Sequence, residues 1–209
     1  MSWDQVIAAI PSMPQRRALV ARLVADLRRQ CDGIDIVNRE HVDGDSPSVD
    51  FPAVIQAACE RNRTWLLLLE DDAILAPVFG SQALDAINQD AEAVSLFSRR
   101  KVDLEAMDRG IRYRKQAASS YSSTVAILMR TECVAGMPIW SPSWYASHPQ
   151  HLHASDLLLA DWMRLHGYRI IVRVPSLVQH LGVTSTLPSR GGKRQSESYR
   201  RAFGEVDGY

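Results

Sequence analysis

Cysteine is scarce in this 209-residue chain. Cys31, Cys59 and Cys133 are an odd number, and no two form a CxxC pair. That spacing argues against a zinc ribbon and a disulfide framework, and it suits a reducing compartment. No charge of one sign dominates: Lys and Arg (24) balance Asp and Glu (24). The total therefore gives no support to a role in coating nucleic acid. No apolar run approaches the roughly 18 residues of a membrane span. The first residues, MSWDQVIAAIPSMP, hold Asp4, no early base and a break at Pro11, unlike a secretory signal. Internal repeats are missing, and so is a Gly-rich phosphate loop near the first strand. These absences lead us to expect a soluble, cytoplasmic protein.

What is present is the composition of an ordinary globular domain, 46% apolar and 23% charged. The length suffices for one sizeable core. Apolar runs predict strands at 6–10, 34–37, 65–69, 94–97, 124–129, 168–174 and 177–178. Helical spacing, such as Leu19, Leu23 and Leu27, predicts helices over 15–30, 51–62, 78–91 and 155–166. Residues 41–48 read as a loop, and so do 137–153, which contain Pro138, Pro142 and Pro149. The polar stretch 99–118 carries no clear period. Strands alternating with helices predict an α/β domain with a mostly parallel sheet. The chain divides into a single domain over 1–183 and a basic, flexible tail over 184–209, too poor in apolar residues to fold by itself.

The chemistry starts at WLLLLEDD, residues 65–72. Five unbroken apolar residues predict a strand buried on both faces. Glu70, Asp71 and Asp72 then repel one another at its carboxyl end, where open α/β sheets bind ligands. Solvent or a divalent metal would offset that repulsion, since such ions prefer hard oxygen donors. His180 ends the last strand, and a neutral imidazole is a common metal ligand. The loop Pro11-Ser12-Met13-Pro14 with Arg16 and Arg17 follows the first strand, facing the same crevice. Helix-start amides and guanidinium groups there suit a phosphate.

Taken together, IPSMPQRR (10–17), LEDD (69–72) and PSLVQHLGVTST (175–186) resemble glycosyltransferases of the GT-A fold, within them the N-acetylglucosaminyltransferase-IV-like group. That group carries a first-strand IPT before a basic pair, a strand ending in LEDD, and a late PSLxQHxGxxSS. The matches come in the same order across most of the chain. Thr184 departs from the group's pattern, and the chain is much shorter than the animal enzymes. The resemblance implies a Rossmann-like, mostly parallel sheet flanked by helices and a nucleotide-sugar donor, a UDP-sugar foremost. It implies Asp72 and His180 as ligands of Mn²⁺ or Mg²⁺, with Glu70 and Asp71 positioning ribose or water. Pro11, Ser12, Arg16 and Arg17 would border the nucleotide. Arg190, Lys193 and Arg194 would meet the diphosphate as the tail closes over it. An inverting enzyme also needs a base, for which Asp156, at a helix start, is the candidate and Asp161 the fallback.

Trp140, Trp144 and Tyr145 read either as a stacking platform or as core. His148, His151 and His153 form a rival zinc cluster. A nucleotidyltransferase, or a sugar-nucleotide-binding protein without turnover, would use much the same residues. The acceptor stays open. Basic zones at Arg99, Arg100, Lys101, Arg109, Arg112, Arg114 and Lys115, and in the tail, suit either a solvated face or a polyanion. Candidate acceptors are a hydroxymethylated base in phage DNA, modified in the host cytoplasm, and a glycan hydroxyl.

Overall fold

The computed structural model describes residues 2–42, 47–121, 123–152, 154–181 and 195–205. Strands and helices alternate: β1 Val6–Ser12, α1 Arg17–Gln30, β2 Asp35–Glu40, α2 Pro47–Cys59, β3 Trp65–Leu69, β4 Ala73–Leu75 and α3 Phe79–Ile87. Then follow β5 Ala93–Ser95, α4 Val102–Asp108, β6 Tyr113–Gln116, β7 Ala126–Arg130, α5 Thr131–Val134 and α6 Met137–Ser147. The chain continues through α7 Ser155–Leu165, β8 Ile170–Arg173, β9 Val178–His180 and α8 Glu197–Phe203.

Seven strands form one sheet in the order β2-β1-β3-β7-β5-β8-β6, and β4 pairs with β9 in a separate small sheet. β1 runs parallel to β2 and β3, and β5 parallel to β8. β7 lies antiparallel between β3 and β5, and β6 antiparallel to β8. Thus β1, β2, β3, β5 and β8 all point the same way, and their carboxyl ends share one edge. This is the mostly parallel α/β sheet that the alternation predicts.

The unbroken run of β3 has a simple cause. Trp65, Leu67 and Leu69 enter the core shared with Leu23 and Leu27 of α1 and Phe79 and Ala83 of α3. Leu66 and Leu68 enter the opposite core, with Val54 and Ile55 of α2, Trp144 of α6 and Leu158 and Leu159 of α7. A period of two thus fills two cores at once, each buried Leu contributing roughly 1.5–3 kcal/mol of transfer free energy. Such a strand is rigid. Whatever follows it is held in place.

Three expectations need correction. The proline-rich stretch 137–147 is a helix, α6. Pro138 sits in its first turn, where a missing N–H costs nothing. Pro142 leaves the Pro138 carbonyl without its helical donor, and the Ser141 hydroxyl donates to that carbonyl instead, at 3.0 Å. Residues 99–118 contain α4 and the edge strand β6, whose polar sequence reflects its one-sided exposure. Within the stretch read as a tail, residues 197–203 form α8, with Ser196, Ser198 and Tyr199 buried. Arg190, Lys193 and Arg194 lie outside the described residues. Among the described residues no helix is long and apolar enough to cross a membrane, and Cys31, Cys59 and Cys133 are free thiols.

Candidate active site

The acids emerge where β3 ends. The Glu70 amide donates to the Val125 carbonyl at 3.1 Å, extending the ladder with β7 by one bond. Its side chain Oε1 accepts from the Thr124 hydroxyl at 2.7 Å. The chain then turns, with the Ala73 amide donating to the Glu70 carbonyl, and enters β4. β4 pairs with β9 so that Ala73 faces His180, and the Leu181 amide donates to the Asp72 carbonyl at 3.1 Å. A three-residue strand absent from the sequence reading therefore brings positions 72 and 180 together.

His180 Nε2 lies 3.3 Å from Asp72 Oδ1 and 3.3 Å from Glu70 Oε2. One ligand atom from each of Glu70, Asp72 and His180 falls within 4.8 Å of the others. The Asp72 carboxylate is fully buried, and among the described residues neither of its oxygens has a hydrogen-bond partner. Burial pushes its carboxyl up to about 6, with Glu70 and Asp71 adding to the rise and His180 and Arg16 opposing it. A buried carboxyl left in this state is costly unless something charged meets it. Two carboxylates and an imidazole are a donor set that fits Mn²⁺ or Mg²⁺. The residues present fit the ion.

Asp71 faces the other way. Its Oδ2 accepts from the Met13 amide at 2.9 Å and its Oδ1 from Arg16 Nη1 at 2.6 Å. Arg16 Nη1 is also 3.5 Å from Asp72 Oδ2. Asp71 thus ties the β1–α1 loop to the acidic turn and draws one guanidinium inward. Arg17 points to the surface and meets Glu40, with Nε 2.6 Å from Oε2. Ser12 is buried and its hydroxyl donates to Asn38 Oδ1 at 2.9 Å, while Pro11 pairs with Arg39 across β2. The two adjacent arginines therefore point apart, Arg16 to the acidic turn and Arg17 to Glu40 at the surface.

Asp156 stands in the first turn of α7, part-buried, with Oδ1 accepting from the Leu157 amide at 3.0 Å. Tyr121, a buried residue that the sequence reading did not single out, lies within electrostatic reach of both Asp156 and Glu70. Burial raises the Tyr121 phenol well above its usual range, and the charges of Glu70 and Asp156 both add to that. Asp156 and Glu70 thus act on the same buried group. Asp161 is committed elsewhere: Trp144 Nε1 donates to it at 2.9 Å and Arg164 at 3.0 Å. Burial works against its ionised form, but those bonds hold its carboxyl below the usual range.

Of the aromatic candidates, Trp144 and Tyr145 are core, and Trp140 packs against Trp162 with ring centroids 5.4 Å apart. His148 stacks on Trp144 with ring centroids 4.5 Å apart, and its Nδ1 lies 2.9 Å from the Trp144 carbonyl oxygen. His153 lies outside the described residues. Among those described, Glu70, Asp72 and His180 form the one group suited to a metal. The basic zone is partly neutralised, since Arg114 pairs with buried Asp103 at 2.7 Å and Arg201 with Asp108 at 2.6 Å.

No protein-family model and no curated protein sequence matches the chain. Solved structures do share its fold. A197 from STIV aligns with a TM-score of 0.55 at 14% identity, over 87% of this chain and 86% of that one. A protein described as a glucose-1-phosphate thymidylyltransferase from Bacillus anthracis, in complex with sucrose, aligns at 0.50 and 8% identity, over 98% and 97%. A glycosyltransferase involved in glycosylation of the major capsid of PBCV-1 aligns at 0.49 and 15%, over 86% and 94%. Identities this low speak for the fold and not for the substrate. The chain has a mostly parallel α/β fold that A197 and the thymidylyltransferase share.

Proposed function

We propose that the chain is a divalent-metal-dependent glycosyltransferase that moves a sugar from a nucleotide donor, a UDP-sugar foremost, to an acceptor hydroxyl. The observation that carries this reading is the cluster of part-buried Glu70 with buried Asp72 and His180 at the carboxyl edge of the sheet. The sequence resemblance to the N-acetylglucosaminyltransferase-IV-like group agrees with it. Glu70, Asp72 and His180 would hold Mn²⁺ or Mg²⁺, which, when bound, supplies Lewis-acid neutralisation of the departing nucleoside diphosphate. Asp71 fixes the loop of Pro11 and Ser12 along the nucleotide, and Arg16, held beside Asp72, adds positive charge at the diphosphate. Arg17 borders the same rim, and Arg190, Lys193 and Arg194 are assigned to the phosphates by the resemblance.

Asp156 takes the proton of the acceptor hydroxyl. The acceptor oxygen bonds to the anomeric carbon as the bond to the diphosphate breaks, with inversion. The first turn of α7 favours the ionised carboxylate that this step needs. The acceptor is a hydroxyl of a glycan or of a hydroxymethylated base in DNA. Three free thiols support a cytoplasmic setting.

Incubation with a panel of nucleotide sugars and Mn²⁺, reading nucleoside diphosphate release, tests the proposal. The expected result is release from one donor class, lost in EDTA. Pyrophosphate formed from a nucleoside triphosphate and a sugar phosphate, with no diphosphate release from any nucleotide sugar, would replace it with the nucleotidyltransferase reading.

A further inference from the structure

A metal ligand on β9 needs that strand held still, and among the described residues β9 has three residues and one partner strand. A two-stranded ribbon is marginal alone. The second support comes from the chain end. Gln179, next to His180 and pointing to the other face, is 1% exposed. Its Oε1 accepts from the Ser196 amide at 2.7 Å and from the His180 amide at 3.2 Å. Its Nε2 donates to the Ser196 carbonyl at 3.2 Å. One side-chain amide thus grips both backbone groups of Ser196, as a neighbouring strand would.

Around this clamp lies a buried hydroxyl network. Ser196 donates to the Ser176 hydroxyl at 2.8 Å, and the Ser176 amide donates to the Ser198 hydroxyl at 3.1 Å. The Ser98 amide donates to Ser176 at 3.0 Å, tying the network to the end of β5. Ser196 also caps α8 by accepting from the Tyr199 amide. Tyr199 and Phe203 add an apolar hold on the core, which by itself is less specific in direction. Buried polar groups are tolerated only when satisfied, which fixes one arrangement.

We propose that Gln179 and Ser196 are positioning residues through which α8 holds β9 in the register that sets His180 against Asp72 and Glu70, so that the C-terminal helix governs divalent-metal affinity without touching the ion. This rests on the metal reading above. Groups supporting a ligand from outside typically change metal affinity by about 10- to 100-fold when lost.

The test uses the full chain and Mn²⁺ itself, titrated by electron paramagnetic resonance with and without uridine diphosphate. Gln179→Leu should weaken Mn²⁺ about tenfold or more. Gln179→Asn, which keeps the amide but shortens its reach, should weaken it severalfold and serves if the leucine variant does not fold. Val54→Ala, in the core on the opposite face of the sheet and away from α8 and β9, should lower the melting temperature and leave Mn²⁺ affinity unchanged. Wild-type affinity in both Gln179 variants, or equal weakening in Val54→Ala, would overturn the inference. A wild-type protein that binds no Mn²⁺ would overturn the metal reading beneath it.

Discussion

Asp72→Asn is expected to abolish metal-dependent turnover and, at the same time, to make the metal-free protein harder to melt. The first effect follows from losing a ligand whose ion is worth several kcal/mol in the transition state, about a thousandfold or more in rate. The second follows from burial. Burial pushes the Asp72 carboxyl up to about 6 in the folded state, above the roughly 3.9 of a free aspartate. The folded state therefore binds a proton that the unfolded state releases, and stability falls as pH rises through that interval. Above about pH 6 the metal-free protein carries the whole cost, on the order of 3 kcal/mol. Below about pH 4 the cost has gone.

Asparagine removes the charge, so the variant should melt a few degrees higher than wild type at pH 8, at roughly 2–4 °C per kcal/mol for a chain this size. The advantage should shrink toward pH 4. Part of it is offset because the new amide also lacks partners. Added Mn²⁺ should raise the melting temperature of wild type alone. Differential scanning calorimetry across pH, beside a turnover assay, reads both effects. A variant less stable than wild type at pH 8 would mean that Asp72 is a structural carboxylate.

Asp156→Asn is expected to keep donor affinity and lower turnover by on the order of a hundredfold or more, the scale of a lost general base. The substitution is conservative for the fold, because the asparagine oxygen still accepts from the Leu157 amide as Asp156 does now. Calorimetric donor titration and initial rates separate binding from chemistry. Unchanged turnover would remove the inverting mechanism as written. Asp161 is poorly placed to take over, being bonded to Trp144 and Arg164.

The parts of the fold legible in sequence are those where one physical signal dominates. β3 announced itself because burial on both faces needs an unbroken apolar run, and the acids after it could not belong to the same core. α1 was legible because Leu19, Leu23 and Leu27 repeat at helical spacing. α6 was not, since Pro138 and Pro142 look like breakers until Ser141 is seen to serve the stranded carbonyl. α8 was hidden because only Tyr199 and Phe203 repeat at helical spacing in it, and the rest of its hold comes from hydrogen bonds through Ser196, Ser176 and Gln179, which leave no apolar period.

The site divides in the same way. Residue types at strand ends pointed to Asp72 and His180, and the β4–β9 pairing sets them side by side. Asp71 and Arg16 could not be told from their neighbours Glu70 and Arg17. Which way a side chain leaves a turn depends on the turn, and here Asp71 meets the Met13 amide while Arg17 meets Glu40. Tyr121 carried no signal, because in sequence a buried phenol looks like any other core aromatic.

The most direct measurement is a crystal soaked in Mn²⁺ and uridine diphosphate, with data collected at the manganese edge. The account predicts a single strong anomalous peak within bonding distance of Asp72 and His180, beside Glu70, with the diphosphate on its open side. A peak at His148 and His151, or an ordered diphosphate with no manganese at Asp72, would contradict it.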